Sequence, residues 1–137
     1  MPKPTDNRTQ WMVLLAAFLG WLFDGYEMGL FPVIARPALK DLLGAGAGDD
    51  AIGWWMGIAT ATFLLGAACG GAVFGWLGDR IGRVKSMALS ILAYSLVNGL
   101  GWFATEPWHL AGVRFLSALG MGGQWSLAVA LVMESWP

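Results

Sequence analysis

Four apolar segments, each long enough to cross a lipid bilayer, constrain this chain more than any other feature of its sequence. A helix needs about 20 mainly apolar residues to span the hydrocarbon core. The four segments cover residues 11–34, 52–77, 86–104 and 109–133 of the 137 in the chain. They leave no room for a soluble domain, so the sequence predicts an all-α membrane protein with four transmembrane helices.

The composition and the polar residues exclude most other classes of protein. Only 12% of the residues are charged, about half the share of roughly 25% in an average soluble domain. The single cysteine, Cys69, lies inside the second segment, which excludes a disulfide framework. The sequence has no Cys/His metal spacing, phosphate-binding loop, catalytic triad or extended basic run. We therefore expect a lipid bilayer as partner and no metal, cofactor, nucleic acid or enzymatic activity.

A polar segment at residues 75–85 separates the second and third apolar segments and indicates the orientation of the chain. Lys and Arg in short loops favour the cytoplasmic side of a membrane. Five of them lie in the N-terminal tail and in this polar segment, namely Lys3, Arg8, Arg80, Arg83 and Lys85. Only Arg36 and Lys40 lie in the predicted loop between the first two helices. The sequence thus places both termini in the cytoplasm.

Small residues recur at helical spacing in the second and fourth segments. Small side chains four residues apart lie on one helix face and let two backbones approach closely inside a bilayer. The positions are Gly53, Gly57, Ala61, Gly66, Gly70, Gly71 and Gly75 in the second segment, and Gly120, Gly122 and Gly123 in the fourth. We interpret them first as helix-packing positions, although so much glycine also permits helices to slide or bend. Asp50 is a candidate cap for the second helix.

Two acidic residues lie near the middle of the first segment, where charge is expensive. Asp24 and Glu27 are three residues apart and therefore share one helix face. A carboxylate at the bilayer centre costs about 2.5–3.5 kcal/mol on insertion scales, and such groups usually mark ion or substrate pathways. Burial favours the protonated form and a nearby cation favours the ionised form, a competition that suits proton coupling. The alternative is an acid that is paired for structure alone.

The fourth segment carries the complementary polar residues. Arg114 is the candidate cation, and we expect it to pair with Asp24 rather than to extend outward to the lipid headgroups. Gln124 is suited equally to a hydrogen bond with a substrate or with another helix. Glu134 lies at the predicted C-terminus of its helix, where an acid opposes the helix macrodipole, so we expect a basic partner for it.

The polar segment resembles the loop signature of the major facilitator superfamily, Gly-x-x-x-Asp-Arg/Lys-x-Gly-Arg/Lys-Arg/Lys. The matching positions are Gly75, Asp79, Arg80, Gly82 and Arg83, whereas Val84 departs from the last basic position. In that family the loop joins helices 2 and 3 and acts as a latch against the opposite half of the transporter, which steadies the outward-open state. The resemblance implies the same role here, shared with Glu134, which matches an acid that ends helix 4 in sugar-porter-like members.

Two further stretches resemble the aromatic-acid and metabolite:proton symporters of that family. Residues 24–27, Asp-Gly-Tyr-Glu, are similar to the Asp-Gly-x-Asp motif of helix 1, with Glu at the second acidic position. Arg114 precedes a glycine run, as does the helix 4 Arg that pairs with the helix 1 Asp in related symporters. The resemblance implies proton coupling by Asp24, Glu27 and Arg114, and substrate contact by Tyr26 and Gln124. Gln124 stands where metabolite-transporting relatives often carry Glu.

The resemblance also implies what surrounds these helices. Residues 1–137 would form the first part of a six-helix N-terminal half, in a transporter of twelve helices. We therefore expect a fragment of a secondary transporter of a bacterial inner membrane, which takes up a small organic acid with protons by alternating access. Its partners would be the substrate, protons and the missing remainder of the transporter. The alternative is a self-contained four-helix scaffold, or a small oligomeric efflux protein that uses Glu27.

Overall fold

The chain folds into a bundle of four long helices. A computed structural model describes residues 7–44 and 46–136, so Lys3 lies outside the described residues. The helices are α1 at Asn7–Leu43, α2 at Asp49–Ile81, α3 at Arg83–Leu100 and α4 at Pro107–Ser135, with a 3-10 turn at Gly101–Phe103. All four are long and apolar enough to cross a membrane. The described ranges contain no strand, which confirms the predicted all-α membrane fold.

Three helices extend beyond their apolar segments at both ends, most of all at the end of α1, whereas α3 ends at Leu100, before the end of its predicted segment. Arg36 and Lys40 lie within α1, so the prediction that they belong to a loop is wrong. The backbone hydrogen bonds of a helix do not depend on lipid, and polar residues can therefore prolong it beyond the hydrocarbon core. The second helix begins after Gly48 with no side-chain capping bond, so the predicted Asp50 cap is also wrong.

A single residue, Gly82, separates α2 from α3. Its φ of 96° lies in the region that glycine adopts without steric cost. Its N–H donates to the Gly78 carbonyl oxygen at 3.1 Å and closes the end of α2. The polar segment is therefore helical on both sides of one glycine. We call the end of the bundle with this junction, the start of α1 and the end of α4 the signature end, and the opposite one the far end.

Glycines bring α2 and α3 into backbone contact with α4. A Cβ on Gly70 would overlap the backbone of Leu119, and one on Gly122 would overlap the backbone of Ala67. A Cβ at Gly120 of α4 would lie 2.6 Å from the carbonyl oxygen of Ser90 on α3. These positions are packing positions, as the sequence predicts, and they make α4 the centre of the bundle.

The first helix packs on α4 mainly in the half nearest the signature end. Gln10 Nε2 donates to the Ser135 carbonyl oxygen at 2.8 Å, and the rings of Trp11 and Trp136 meet edge to face at 6.1 Å. Ala17 joins a buried cluster on α4. Towards the far end, α1 and α4 border a cavity instead of packing closely.

Replacing Gly70 by Ala should lower the thermal stability of the protein. The added Cβ overlaps a carbonyl of α4, so the two helices must separate, at a cost of about 1–3 kcal/mol. Gly57→Ala is the matched control because open space surrounds its Cβ position on the same helix. Thermal unfolding in detergent should show a lower midpoint for Gly70→Ala alone, and equal midpoints for both variants would contradict this packing account.

Candidate functional site

The buried charged residues in the described part of the chain, Asp24 and Arg114, lie on α1 and α4. Arg114 Nη1 donates to Glu27 Oε1 at 2.8 Å, with side-chain exposures of 8% and 24%. Two rings flank the guanidinium, whose Cζ lies 3.9 Å from the centroid of Phe31 and 4.5 Å from that of Phe63. Paired and flanked in this way, the cation is held inside the bundle and does not extend to the headgroups.

The expected pair of Asp24 with Arg114 is not formed. Arg114 lies two turns into α4 from the far end, and Glu27 is nearer that end of α1 than Asp24. Three residues correspond to about 4.5 Å along the helix. The longer Glu27 side chain therefore meets the guanidinium at its own depth, and Asp24 lies about one turn below it.

Asp24 is buried without a partner. Its residue exposure is 6%, and neither carboxylate oxygen has a hydrogen-bond partner among the described residues. It lines a cavity of about 470 Å³ between α1, α2 and α4, together with Trp21, Phe63, Trp125 and Ser126. An unpaired carboxylate in such apolar surroundings is costly, and uptake of a proton removes its charge and with it the larger part of that cost.

The Glu27–Arg114 pair belongs to a different cavity. This second cavity, of about 680 Å³, lies towards the far end between α1, α3 and α4, and it also includes Asp41 and Asn98. Asp24 does not line it, and Glu27 does not line the first cavity. The two acids predicted to act together thus contact separate spaces, although they are three residues apart on one helix.

At the signature end, Arg83 joins three of the predicted latch residues. It contacts Asp79 Oδ1 at 2.7 Å and Glu134 Oε1 at 3.0 Å, and its Nη1 donates to the Gly75 carbonyl oxygen at 3.4 Å. The basic partner predicted for Glu134 is therefore Arg83. Both acids are more than half exposed, and exposed ion pairs are individually weak, so this cluster can open at low cost.

Arg80 does not join that cluster. Its guanidinium lies 4.2 Å from the ring centroid of Trp76, one turn earlier on the same helix. Gly82, the remaining predicted latch residue, contributes the turn between α2 and α3. Four of the six predicted latch residues therefore meet at Arg83, and the other two do not contact it through side chains in the described part of the chain.

Comparison with known proteins identifies the family. The model of the Major Facilitator Superfamily matches residues 11–137. The chain belongs to the major facilitator superfamily. This assignment agrees with the signature at the α2–α3 junction and with an integral, multi-pass membrane protein.

Its relatives are bacterial transporters. It is 34% identical to the sialic acid transporter NanX of Escherichia coli, over 96% of this chain and 31% of that protein. It is 35% identical to the niacin transporter NiaP of Acinetobacter baylyi, over 96% of this chain and 28% of that protein. It is 30% identical to the gallate transporter of Pseudomonas putida, over 96% of this chain and 29% of that protein. This major facilitator chain thus spans about 30% of the length of its relatives, and no solved structure matches it.

The two residues predicted to contact substrate differ in placement. Tyr26 is 67% exposed and lines neither of the two cavities. Gln124 is buried, and its amide nitrogen contacts Gly20 of α1 so closely that no Cβ would fit there. Its Oε1 has no partner within the described ranges. In this major facilitator chain, Gln124 acts first as a helix-packing residue, and Tyr26 lies apart from the buried site.

Sequence reasoning missed several residues that shape these sites. A Cβ on Gly78 would overlap the Leu127 side chain and would lie 3.2 Å from Arg83 Nη1, so this glycine makes room for Leu127 of α4 and for Arg83. The Phe31 ring could have been found, because it lies one turn after Glu27 on the same face. Phe63 carried no such signal, since only tertiary packing brings it to Arg114.

Replacing Asp24 and Glu27 in turn by the corresponding amide should separate the structural roles of the two acids. Glu27→Gln leaves the buried guanidinium without an anion and should cost about 3 kcal/mol, the lower end of the range for a buried pair because Glu27 is partly exposed. Asp24→Asn removes an unpartnered carboxylate and should leave stability unchanged or higher. Thermal unfolding in detergent tests both, and the reverse order of midpoints would contradict the assigned pairing.

Proposed function

We propose that this chain is the N-terminal part of a proton-coupled secondary transporter that takes up a small organic acid by alternating access. Its family and its relatives, named for sialic acid, niacin and gallate, support this proposal. Each of these compounds carries a carboxyl group. The bacterial relatives and the distribution of basic residues favour the inner membrane, with the N-terminus in the cytoplasm. The rest of the transporter would supply the opposing half.

The observation that carries the proposal is the unpartnered Asp24 carboxylate beside a cavity. Ionised, it is buried in apolar surroundings without a hydrogen bond, and protonated it is neutral. The free energy of this conformation therefore depends on whether a proton is bound. A conformation that brings Asp24 to a cation or to water would release the proton. This dependence is what a proton-driven change of access requires.

Arg114 would connect proton binding to the substrate. Its Nη1 is held by Glu27, while its Nε is buried with no acceptor in the described part. A substrate carboxylate that enters the far-end cavity would compete with Glu27 for the guanidinium, as charge-assisted hydrogen bonds are strong. Gln124 lines neither cavity, and its free Oε1 would reach a substrate only after α1 moves away from α4 at Gly20. Tyr26 would act from the face of α1 that the other described helices leave uncovered.

The cluster around Arg83 would serve as the conformational latch. Gly75, Asp79 and Glu134 hold the guanidinium at the signature end through contacts that are individually weak. Gly82 would set the turn, and Arg80 would extend towards the opposite half. Weak, exposed contacts suit an element that must open in each transport cycle.

Asp24→Asn in the complete protein should abolish proton-driven uptake and keep substrate exchange. The amide cannot carry the proton, whereas exchange needs only the loaded carrier to change access. Both rates are measured in liposomes with radiolabelled substrate, with and without a pH gradient. Asp49→Asn is the control, since Asp49 is an exposed acid paired with Arg36 near the far end. Proton-driven uptake that survives in Asp24→Asn would refute the coupling role.

Arg83→Gln should shift the transporter away from the outward-open state. A cysteine at Asn98, in the far-end cavity, reports this state by its rate of maleimide labelling, in a Cys69→Ser background. We expect labelling several-fold slower in Arg83→Gln than in the parent, because both ion pairs of the latch are lost. Lys85→Gln is the matched control, because Lys85 is an exposed cation two residues later that forms neither ion pair. Equal labelling rates in the parent and in Arg83→Gln would contradict the latch.

A further inference from the structure

Tyr94 of α3 lies at the same level of the bundle as Asp24. The level is fixed by a buried cluster nearer the signature end, in which Ala17 of α1 and Met87 of α3 pack with Leu127 of α4. The first and third helices run towards the far end and α4 runs back. Seven residues, about two turns and about 10 Å, lead along the same faces to the next level. That level contains Asp24, Tyr94 and Gly120.

Gly120 opens the space between Tyr94 and the first helix. A Cβ there would lie 2.7 Å from the Tyr94 Cβ and 2.9 Å from its backbone nitrogen, so α3 crosses α4 in direct contact at this point. No side chain of residue 120 stands between the two flanking helices. Tyr94 is half-buried, and Met87, two turns earlier on the same face of α3, belongs to the buried cluster that includes Ala17 of α1. The Tyr94 ring is long enough to extend across the glycine towards α1.

The other charged groups near Asp24 are engaged elsewhere or carry its own sign of charge in this conformation. From its own helix, Glu27 presents a second acid. From α4, Arg114 is already held by Glu27. The second helix presents only apolar and small residues to the Asp24 cavity, Phe63, Ala67, Ala68, Gly71 and Ala72. Ser126 lines the same cavity, and its hydroxyl donates to the Gly71 and Gly123 carbonyl oxygens. Of the titratable groups among the described residues, this leaves the Tyr94 hydroxyl on α3.

We propose that Tyr94 is a positioning residue for Asp24: its phenol donates, directly or through one water molecule, the hydrogen bond that the carboxylate needs when its proton leaves. The inference rests on the proposed function, because it gives the ionised state of the proton carrier a partner. The protonated state keeps Asp24 free, as the structure has it. The phenol therefore sets the pH at which the carrier loads and unloads.

Tyr94→Phe tests this proposal in the complete protein reconstituted in liposomes. Without the donor, ionised Asp24 is less favourable, so the carrier keeps its proton to higher pH. The pH midpoint of proton-driven uptake should rise by about one unit, a tenfold change in proton affinity. Thr60→Val is the matched control, since it removes an exposed hydroxyl that bonds only within α2. An unchanged midpoint in Tyr94→Phe would overturn the inference.

A second measurement separates this inference from the proposed function. The carbonyl stretching band of protonated Asp24, identified by its loss in Asp24→Asn, is followed by infrared difference spectroscopy against pH, and it needs no transport. Tyr94→Phe should shift this titration upward. In the Asp24→Asn background, Tyr94→Phe should not change the pH profile of exchange. A change of equal size there would mean that Tyr94 acts elsewhere. If Asp24→Asn retains proton-driven uptake, the proposed function fails instead.

If Tyr94→Phe does not fold, Tyr94→Leu and Tyr94→His extend the test. Leucine also removes the hydroxyl and should shift the infrared titration upward as phenylalanine does. Histidine restores a hydrogen-bond donor and should return the midpoint towards that of the parent. A histidine variant that shifts as far as the leucine variant would show that ring packing, not the donor, controls Asp24.

Discussion

A guanidinium buried among four membrane helices must find an anion, and the choice of that anion organises this bundle. Arg114 forms an ion pair with Glu27, which joins α4 to the first helix at one depth. Two phenylalanine rings flank the guanidinium there. That choice leaves Asp24 without a cation one turn away. The separation of a paired acid from an unpaired one follows from three residues of helical rise and one extra methylene in Glu27.

The bundle is not held with equal strength throughout. Glycine contacts bring the second and third helices onto the backbone of α4, where a methyl group would already be too large. The first helix has looser neighbours: a buried ion pair, two tryptophan pairs and the amide of Gln124. An element held by a few polar and aromatic contacts can shift more readily than one locked by its backbone. The proposed proton carrier lies on the helix with this freedom.

Much of this architecture could be predicted from the sequence, and the remainder depends on information that sequence patterns do not contain. Hydropathy predicts the number and type of helices, because the bilayer sets the length of an apolar run. It does not predict where α1 ends, since the helix continues through Arg36 and Lys40 after leaving the apolar region. The basic partner of Glu134 was predictable from the helix dipole. The acid that Arg114 selects was not, because that depends on side-chain length and on how far α1 slides along α4.

The single-residue junction at Gly82 has a mechanical consequence. The second and third helices meet there with no loop between them, so their relative tilt depends on the few backbone dihedral angles around Gly82. The second helix has 33 residues and is therefore about 50 Å long. A rotation of about 5° at this junction would displace the opposite end of α2 by about 4 Å, which is longer than one hydrogen bond. Because glycine contacts hold α2 and α3 on the backbone of α4, such a rotation would carry α4 with it, so a rearrangement around Arg83 would be transmitted through three helices across the membrane.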